Sequence, residues 1–281
     1  MSTTMSTKKK VAKKVSKSNR TLLVCVGVGG VFYHGIPRLA VWCQRRGEVD
    51  VLLIDHDKIE EKNRLRQWGN VGQYKVQVAE QVLKTLGISS RWVLNKYTDM
   101  LPLIICKNQY TDCTKVYTRV VVIAAPDNHM CRMEVHEGCK ALALETGLEV
   151  HEITAGNDME GGYAYGCVWK GVPPGPGGIV KDMCEGDWTA RHYDIVRGAI
   201  AEQKQLEHPE ACGSMQENRV GQTMLTNQLT ALCIWDLAEM MAAEDKVGEV
   251  CWRNVVEENG TTRYTKVWAT LTDRTWSKEG R

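Results

Sequence analysis

"TLLVCVGVGG", residues 21–30, decides the fold. A short, β-branched apolar run that ends abruptly in glycines reads as a strand buried on both faces, the kind a parallel sheet requires. "VFYHGIPRLAVWCQRR" follows, with Ile36, Leu39, Ala40 and Cys43 at helical spacing and Gly47 as its stop. "VDVLLIDHD" (49–57) is a second buried strand. From Gly72, "GQYKVQVAEQVLKTLG" sets Val78, Ala79, Val82, Leu83 and Leu86 on one helical face, closed by Gly87. "RWVLNKY" (91–97) is a weaker third strand, and "YTRVVVIAAPDN" (117–128) is a continuous apolar one that runs into a helix, "HMCRMEVHEGCKAL". Strands that alternate with helices through short loops predict an α/β fold: a Rossmann-like, mostly parallel sheet with flanking helices. The ligand site of such a sheet lies beyond the carboxyl ends of its strands.

Past residue 160 the character changes. "GVPPGPGG" (171–178) is a Pro/Gly loop, and "RHYDIVRGAIAEQKQLE" (191–207) reads as an amphipathic helix within an insertion. "GQTMLTNQLTALCIWDLAEMMAAE" (221–244) is a long helix, apolar on most faces, that needs burial against the sheet or another subunit. "VCWRNVVEENGTTRYTKVWATL" is two alternating strands joined at Asn259-Gly260, a C-terminal antiparallel hairpin region. The expected organisation is a tail over 1–19, a nucleotide-binding Rossmann-like region over 20–165, and a segment over 166–281 that completes the same domain with an insertion or crossover loop, the long helix and the hairpin.

Composition narrows the function classes. The 281 residues are 43% hydrophobic and 25% charged, ordinary for a globular protein. No run approaches the ~18 apolar residues of a membrane span, and the N-terminus has no signal-peptide core, so a membrane protein is not expected. Eleven scattered cysteines without a secretory signal point to a reducing cytoplasm and free thiols. Seven of the 36 basic residues fall within the first twenty positions, which hold no acid, leaving 29 against 34 acidic residues in the body. The lysine-rich tail is expected to be disordered, and it is the one place for nucleic-acid contact. The acidic body argues against a dedicated nucleic-acid binder.

The chemistry-bearing residues lie between the first two strands and the fourth. Gly27-Val28-Gly29-Gly30 is a glycine turn at a helix start, where backbone N–H groups reach an anionic phosphate. A Walker sequence is absent, and a dinucleotide fingerprint needs a further glycine where Phe32 stands, so with Phe32 here and Asp127 further on a hydride-transfer enzyme is the least expected outcome. Asp55 closes the second strand, where a carboxylate can accept hydrogen bonds from ribose hydroxyls. After it come "NRLRQ" (Asn63, Arg66, Gln67), then Lys75, and at the end of the fourth strand Asp127-Asn128.

This ordered set resembles the ThiF/MoeB family, bacterial relatives of the ubiquitin-activating enzymes, over roughly residues 20–165 with a weaker match from about 208 to 243. It looks most like the ThiF proteins of plasmid and phage gene clusters, the PRTRC-type group. The resemblance implies ATP-dependent adenylation of the C-terminal carboxylate of a small ubiquitin-like or sulfur-carrier protein, with release of pyrophosphate. It assigns Gly27, Gly29 and Gly30 to the turn under the nucleotide, Asp55 to the ribose, and Asn63, Arg66, Gln67 and Lys75 to the phosphates. Asp127 falls to Mg²⁺ and, with Arg66 and Lys75, to catalysis. It also implies a homodimer. The chemistry wants the same set, because two anions meet and charge develops on pyrophosphate: a planar Arg fork, a Lys point charge and a carboxylate-held Mg²⁺ suit that task.

Departures accompany the likeness. Phe32 makes the loop wall bulkier than a glycine would. The N-terminal arginine that reaches a partner's ATP in homodimeric relatives has no counterpart, Arg20 lying too close to the first strand to be assigned. The paired C-x-x-C motifs are missing, and His129, Cys131, His136 and Cys139 have unfamiliar spacing, so no structural zinc is expected. Cys212, shortly before the long helix, is the first candidate for a transfer thiol, ahead of Cys184 and Cys167, while Cys25 and Cys233 read as packing residues. Two other readings stay open: adenylation of a peptide or a modified tRNA base, and a nucleotide-binding scaffold subunit without turnover.

Overall fold

In the computed structural model, the described residues are 20–64, 66–95, 116–127, 129–157, 161–170, 181–182, 224–243, 246–256 and 262–273. The basic tail, the 171–178 loop, the 191–207 segment, Cys184, Cys212 and Asn259-Gly260 lie outside them. The elements run β1 (Thr21–Val26), α1 (Gly30–Arg46), β2 (Val49–Ile54), α2 (Lys75–Thr85), β3 (Ser90–Val93), β4 (Arg119–Ala124), α3 (His129–Thr146), β5 (Glu149–Asn157), β6 (Gly161–Lys170), β7 (Lys181–Asp182), α4 (Met224–Ala243), β8 (Lys246–Val256) and β9 (Thr262–Asp273).

The strands form one sheet in the order β3-β2-β1-β4-β5-β6-β8-β9, with β7 paired to β6. β3 through β5 are parallel, and β6, β8 and β9 continue antiparallel. The expected α/β class and the C-terminal antiparallel pair are both present. The chain builds outward from β1 in one direction through β2 and β3, then returns beside β1 as β4. That reversal makes the carboxyl ends of β1 and β4 the switch point where open α/β sheets hold their ligands.

Alternation along the strands makes two cores. Leu23 and Cys25 face α1, α2 and α4, whereas Leu22, Val24 and Val26 face α3. The apolar helix expected over 221–244 is α4, and its own chain covers one side of it. Ala231, Cys233, Ile234, Trp235, Leu237, Ala238 and Met241 are buried in the first core, and Gly35 on α1 makes room for the Trp235 ring. A Cβ on Gly35 would stand 2.7 Å from Trp235 Nε1. On the other side of α4, Met224, Leu225 and Leu232 stay exposed, so the chain covers the helix only in part. Among the described residues no helix is long and apolar enough to cross a membrane.

Candidate functional site

The site grows from the end of β1. Gly27 has φ +85°, and a Cβ there would lie 2.9 Å from the Ala125 carbonyl at the end of β4, so the turn requires glycine on both counts. Its N–H donates to Ile54 O at 3.0 Å, which ties the turn to the end of β2. Gly29 then caps α1 in an extended conformation, with no side-chain hydrogen bond capping the helix N-terminus.

Asp55 holds this turn in place. Its Oδ2 accepts the Val28 N–H at 2.7 Å and its Oδ1 accepts the Asp57 N–H at 2.8 Å. The residue is 2% exposed. Burial raises its carboxyl above the ordinary Asp range, against the pull of the Lys75 ammonium and the two backbone donors. The expected ribose acid is thus also the clasp of the glycine turn, a role its position in the sequence did not reveal.

A backbone turn joins Asn63 to Arg66 and Gln67. Arg66 N–H and Gln67 N–H both donate to Asn63 O, at 2.9 and 3.0 Å, while Asn63 Oδ1 accepts Glu60 N–H at 3.0 Å. That spacing brings Asn63, Arg66 and Gln67 to one side of the turn. Asn63 and Gln67 are buried, and Gln67 Oε1 has no hydrogen-bond partner among the described residues. A Cβ on Gly30 would touch Arg66 Cδ at 3.4 Å, and one on Gly29 would touch Gln67 Nε2 at 3.8 Å, so both side chains stand over the glycine turn. Burial lowers the Arg66 pKa from its ordinary value and Asp127 opposes the shift, which places Arg66 within the field of Asp127. Asp127 itself is exposed, one residue past Pro126.

Lys75 opens α2. Its Nζ pairs with Asp57 Oδ2 at 2.8 Å, and its side chain is 12% exposed. The expected phosphate lysine therefore has a carboxylate partner in this structure. Tyr33 OH donates to Lys75 O at 2.9 Å, which anchors the start of α2 to α1.

Two expectations, for Phe32 and Cys167, change, and the unassigned Arg20 gains a place. Phe32 is no wall of the site: it is 8% exposed and packs into the core beside Cys25, Ile234 and Trp235, edge-on to Tyr33. Arg20 pairs with Asp50 at 3.0 Å, at the amino ends of the strands and thus opposite the site. Cys167 is fully buried and donates to Glu152 at 3.3 Å, which removes it as a transfer thiol. Cys25 and Cys233 are buried in the core.

Sequence reasoning passed over Arg132, Asn157 and Asn227. Arg132 is 8% exposed; it donates to Pro126 O at 2.9 Å and to Tyr163 OH at 3.1 Å, beneath the ends of β4 and β6. Its one sequence signal is spacing, since Arg132, Val135 and Cys139 share a buried helical face. Asn157 Nδ2 donates to Asn227 Oδ1 at 3.1 Å across β5 and α4.

Two groups of side chains have the composition of metal ligands. Asp55, His56 and Asp57 lie together, as do His136, Glu152 and Cys167, with their ligand atoms within 4.8 Å of one another. In the first, backbone N–H groups take Asp55 and Lys75 takes Asp57. In the second, His136, Thr154, Cys167 and Trp169 all hydrogen-bond Glu152.

No protein-family model and no curated protein matches the sequence. Among solved structures, E. coli MccB in complex with selenomethionine MccA is 19% identical, with a TM-score of 0.50 over 89% of this chain and 64% of that one. E. coli MccB with ATP gives 17% identity and a TM-score of 0.49, over 89% of this chain and 64% of that one. PaaA gives 13% and 0.48, over 90% of this chain and 65% of that one. The chain thus spans somewhat under two thirds of the MccB length, and what it shares with MccB is the fold.

Proposed function

We propose that this chain is an adenylate-forming enzyme of the ThiF/MoeB type, which uses ATP to activate the C-terminal carboxylate of a small ubiquitin-like or sulfur-carrier protein. One observation carries the reading: Asp55, Arg66 and Gln67 stand against the glycine turn beside the point where the strand order reverses, and Lys75 acts electrostatically on Asp55.

Each side chain has work in that reaction. The turn and the start of α1 offer N–H groups and a positive dipole end to phosphate. Asp55 retains a lone pair on each oxygen beyond the two backbone bonds, enough to accept from ribose hydroxyls. A substrate carboxylate oxygen attacks the α-phosphorus, and the bond from that phosphorus to the bridging oxygen breaks, so pyrophosphate leaves with the electron pair. Arg66 faces that developing charge from a half-buried position, where a cation acts more strongly than in water. Lys75 exchanges Asp57 for a phosphate oxygen. The exposed Asp127 carboxylate suits Mg²⁺, a hard cation that takes one or two carboxylates together with phosphate oxygens. Mg²⁺ would neutralise charge between the phosphates.

The proposal extends to a homodimer on the ThiF/MoeB resemblance alone, with Arg20 committed to Asp50 at the far end of the sheet. Exchange of labelled pyrophosphate into ATP tests the reading, with Mg²⁺ and small proteins or peptides ending in Gly-Gly as acyl substrates. Exchange that depends on such a substrate, and disappears in Asp127→Ala, is expected. Tight ATP binding without exchange toward any acyl substrate would make the chain a nucleotide-binding subunit instead.

A further inference from the structure

We propose that the carboxyl end of β5 is the acyl half of the site, where Asn157 and Asn227 orient the carboxylate that attacks the nucleotide. The inference rests on the adenylation reading and adds residues to it.

Asn227 lies in the first turn of α4 and is fully buried, yet its Nδ2 has no hydrogen-bond partner among the described residues. A buried amide N–H without an acceptor costs roughly 1–3 kcal/mol, so such a group needs a reason to persist. Its place supplies one. A Cβ on Gly30 would sit 2.5 Å from Asn227 Nδ2 and 3.4 Å from Arg66 Cδ, so the amide and the guanidinium stem meet across the glycine turn. Asn157 Nδ2 donates to Asn227 Oδ1 at 3.1 Å, which fixes the amide and leaves its nitrogen toward the turn.

Direction along the sheet separates this half from the nucleotide half. Asp55 follows β2 on one side of β1, and Asn157 ends β5, two strands away on the other side. With ribose at Asp55 and phosphates over the turn, the side left for the attacking group is that of β5. The charge there suits an anion as well. Arg132 lies flat on Gly156, where a Cβ would stand 2.6 Å from its Nη2, and Pro126 O and Tyr163 OH hold it. It contributes a positive field, while the neutral amides make the close contacts. Amide donors can orient a carboxylate without suppressing its nucleophilicity as a tight ion pair with Arg or Lys would.

The test compares two ligands, AMP and 5′-O-(N-glycylsulfamoyl)adenosine, a stable mimic of a glycyl adenylate, by calorimetric titration. The wild-type chain is expected to bind the mimic about tenfold or more tighter than AMP, from two or so added hydrogen bonds. In Asn157→Ala and Asn227→Ala that advantage should shrink to about threefold or less. Asn157 is partly exposed, so its variant decides the matter if the fully buried Asn227 cannot be replaced without unfolding. A folded Asn157→Ala that keeps the full advantage overturns the inference. So does a parallel loss of AMP and mimic, which would put the amides on the phosphate. Failure of the wild type to bind AMP at all would instead remove the nucleotide reading beneath it.

Discussion

Asp55 and Glu152 are both carboxylates withdrawn from water, at 2% and 1% exposure, and their acidities move in opposite directions. Asp55 rises because burial outweighs its partners. Burial would raise Glu152 as well, but His136 first, then Trp169 and Cys167, reverse the effect and hold it below the ordinary Glu range. The difference is one of saturation. Four side chains donate to Glu152 inside the core formed by α3, β5 and β6, and it has no capacity left for a ligand. Asp55 receives two backbone bonds beside the glycine turn and keeps lone pairs in reserve. One carboxylate is spent on folding; the other holds a loop and remains available for chemistry.

Removal of each should therefore fail in a different way. Glu152→Ala leaves a buried histidine and three donors without their acceptor, and a loss of about 3–5 kcal/mol in urea denaturation is expected. Asp55→Asn keeps the shape and an acceptor for one backbone N–H, so its stability should fall by only about 1 kcal/mol while ATP affinity drops. Equal destabilisation by the two, with ATP affinity retained in Asp55→Asn, would erase the distinction.

Arg66 and Lys75 sharpen the same contrast from the cationic side. Replacement of either by Ala is expected to cut pyrophosphate exchange by about 10²–10³ while the urea midpoint moves little. Lys75 is held by Asp57 in this structure, so Asp57→Asn should leave the fold intact and free the ammonium. A large loss of stability in Lys75→Ala would instead make the Lys75–Asp57 pair a structural bond like that of Glu152.

The contrast also explains what the sequence could disclose. β1, β2 and β4 are continuous apolar runs because both faces are buried, and Gly27 announces its turn because no other residue fits. β5 was not legible. Glu149, His151, Glu152 and Thr154 interrupt its apolar character, and partners within β5 itself and from β4, α3 and β6 make those groups acceptable inside a sheet. Asn157, Asn227 and Arg132 escaped for a related reason, since each gains meaning from a residue far along the chain: Asn157 from Asn227, and Arg132 from Gly156 and Tyr163. That Asp55, Arg66 and Gln67 would lie beside the turn was legible because they follow it on a short, continuous stretch. Phe32 was misread because its helical phase, which turns it toward α4, is set by where α1 begins.

The smallest expected effect is the dependence of stability on pH, and it separates the two carboxylates by sign. Glu152 has a folded pKa below its unfolded one, so the stability it contributes is full above the ordinary Glu value of ~4.3 and is lost as pH falls through the lowered folded value. For Asp55 the folded pKa lies above the unfolded one, so the folded state binds its proton first. Stability from that site therefore rises as pH falls through the raised value toward the ordinary ~3.9, and it is absent at neutral pH. Urea titrations of the wild type and Asp55→Asn across this range isolate the second effect as a difference. The wild type should gain on the variant as the solution is acidified. A difference that is flat, or that runs the other way, would mean that its partners outweigh its burial, and Asp55 would then be a saturated structural carboxylate like Glu152.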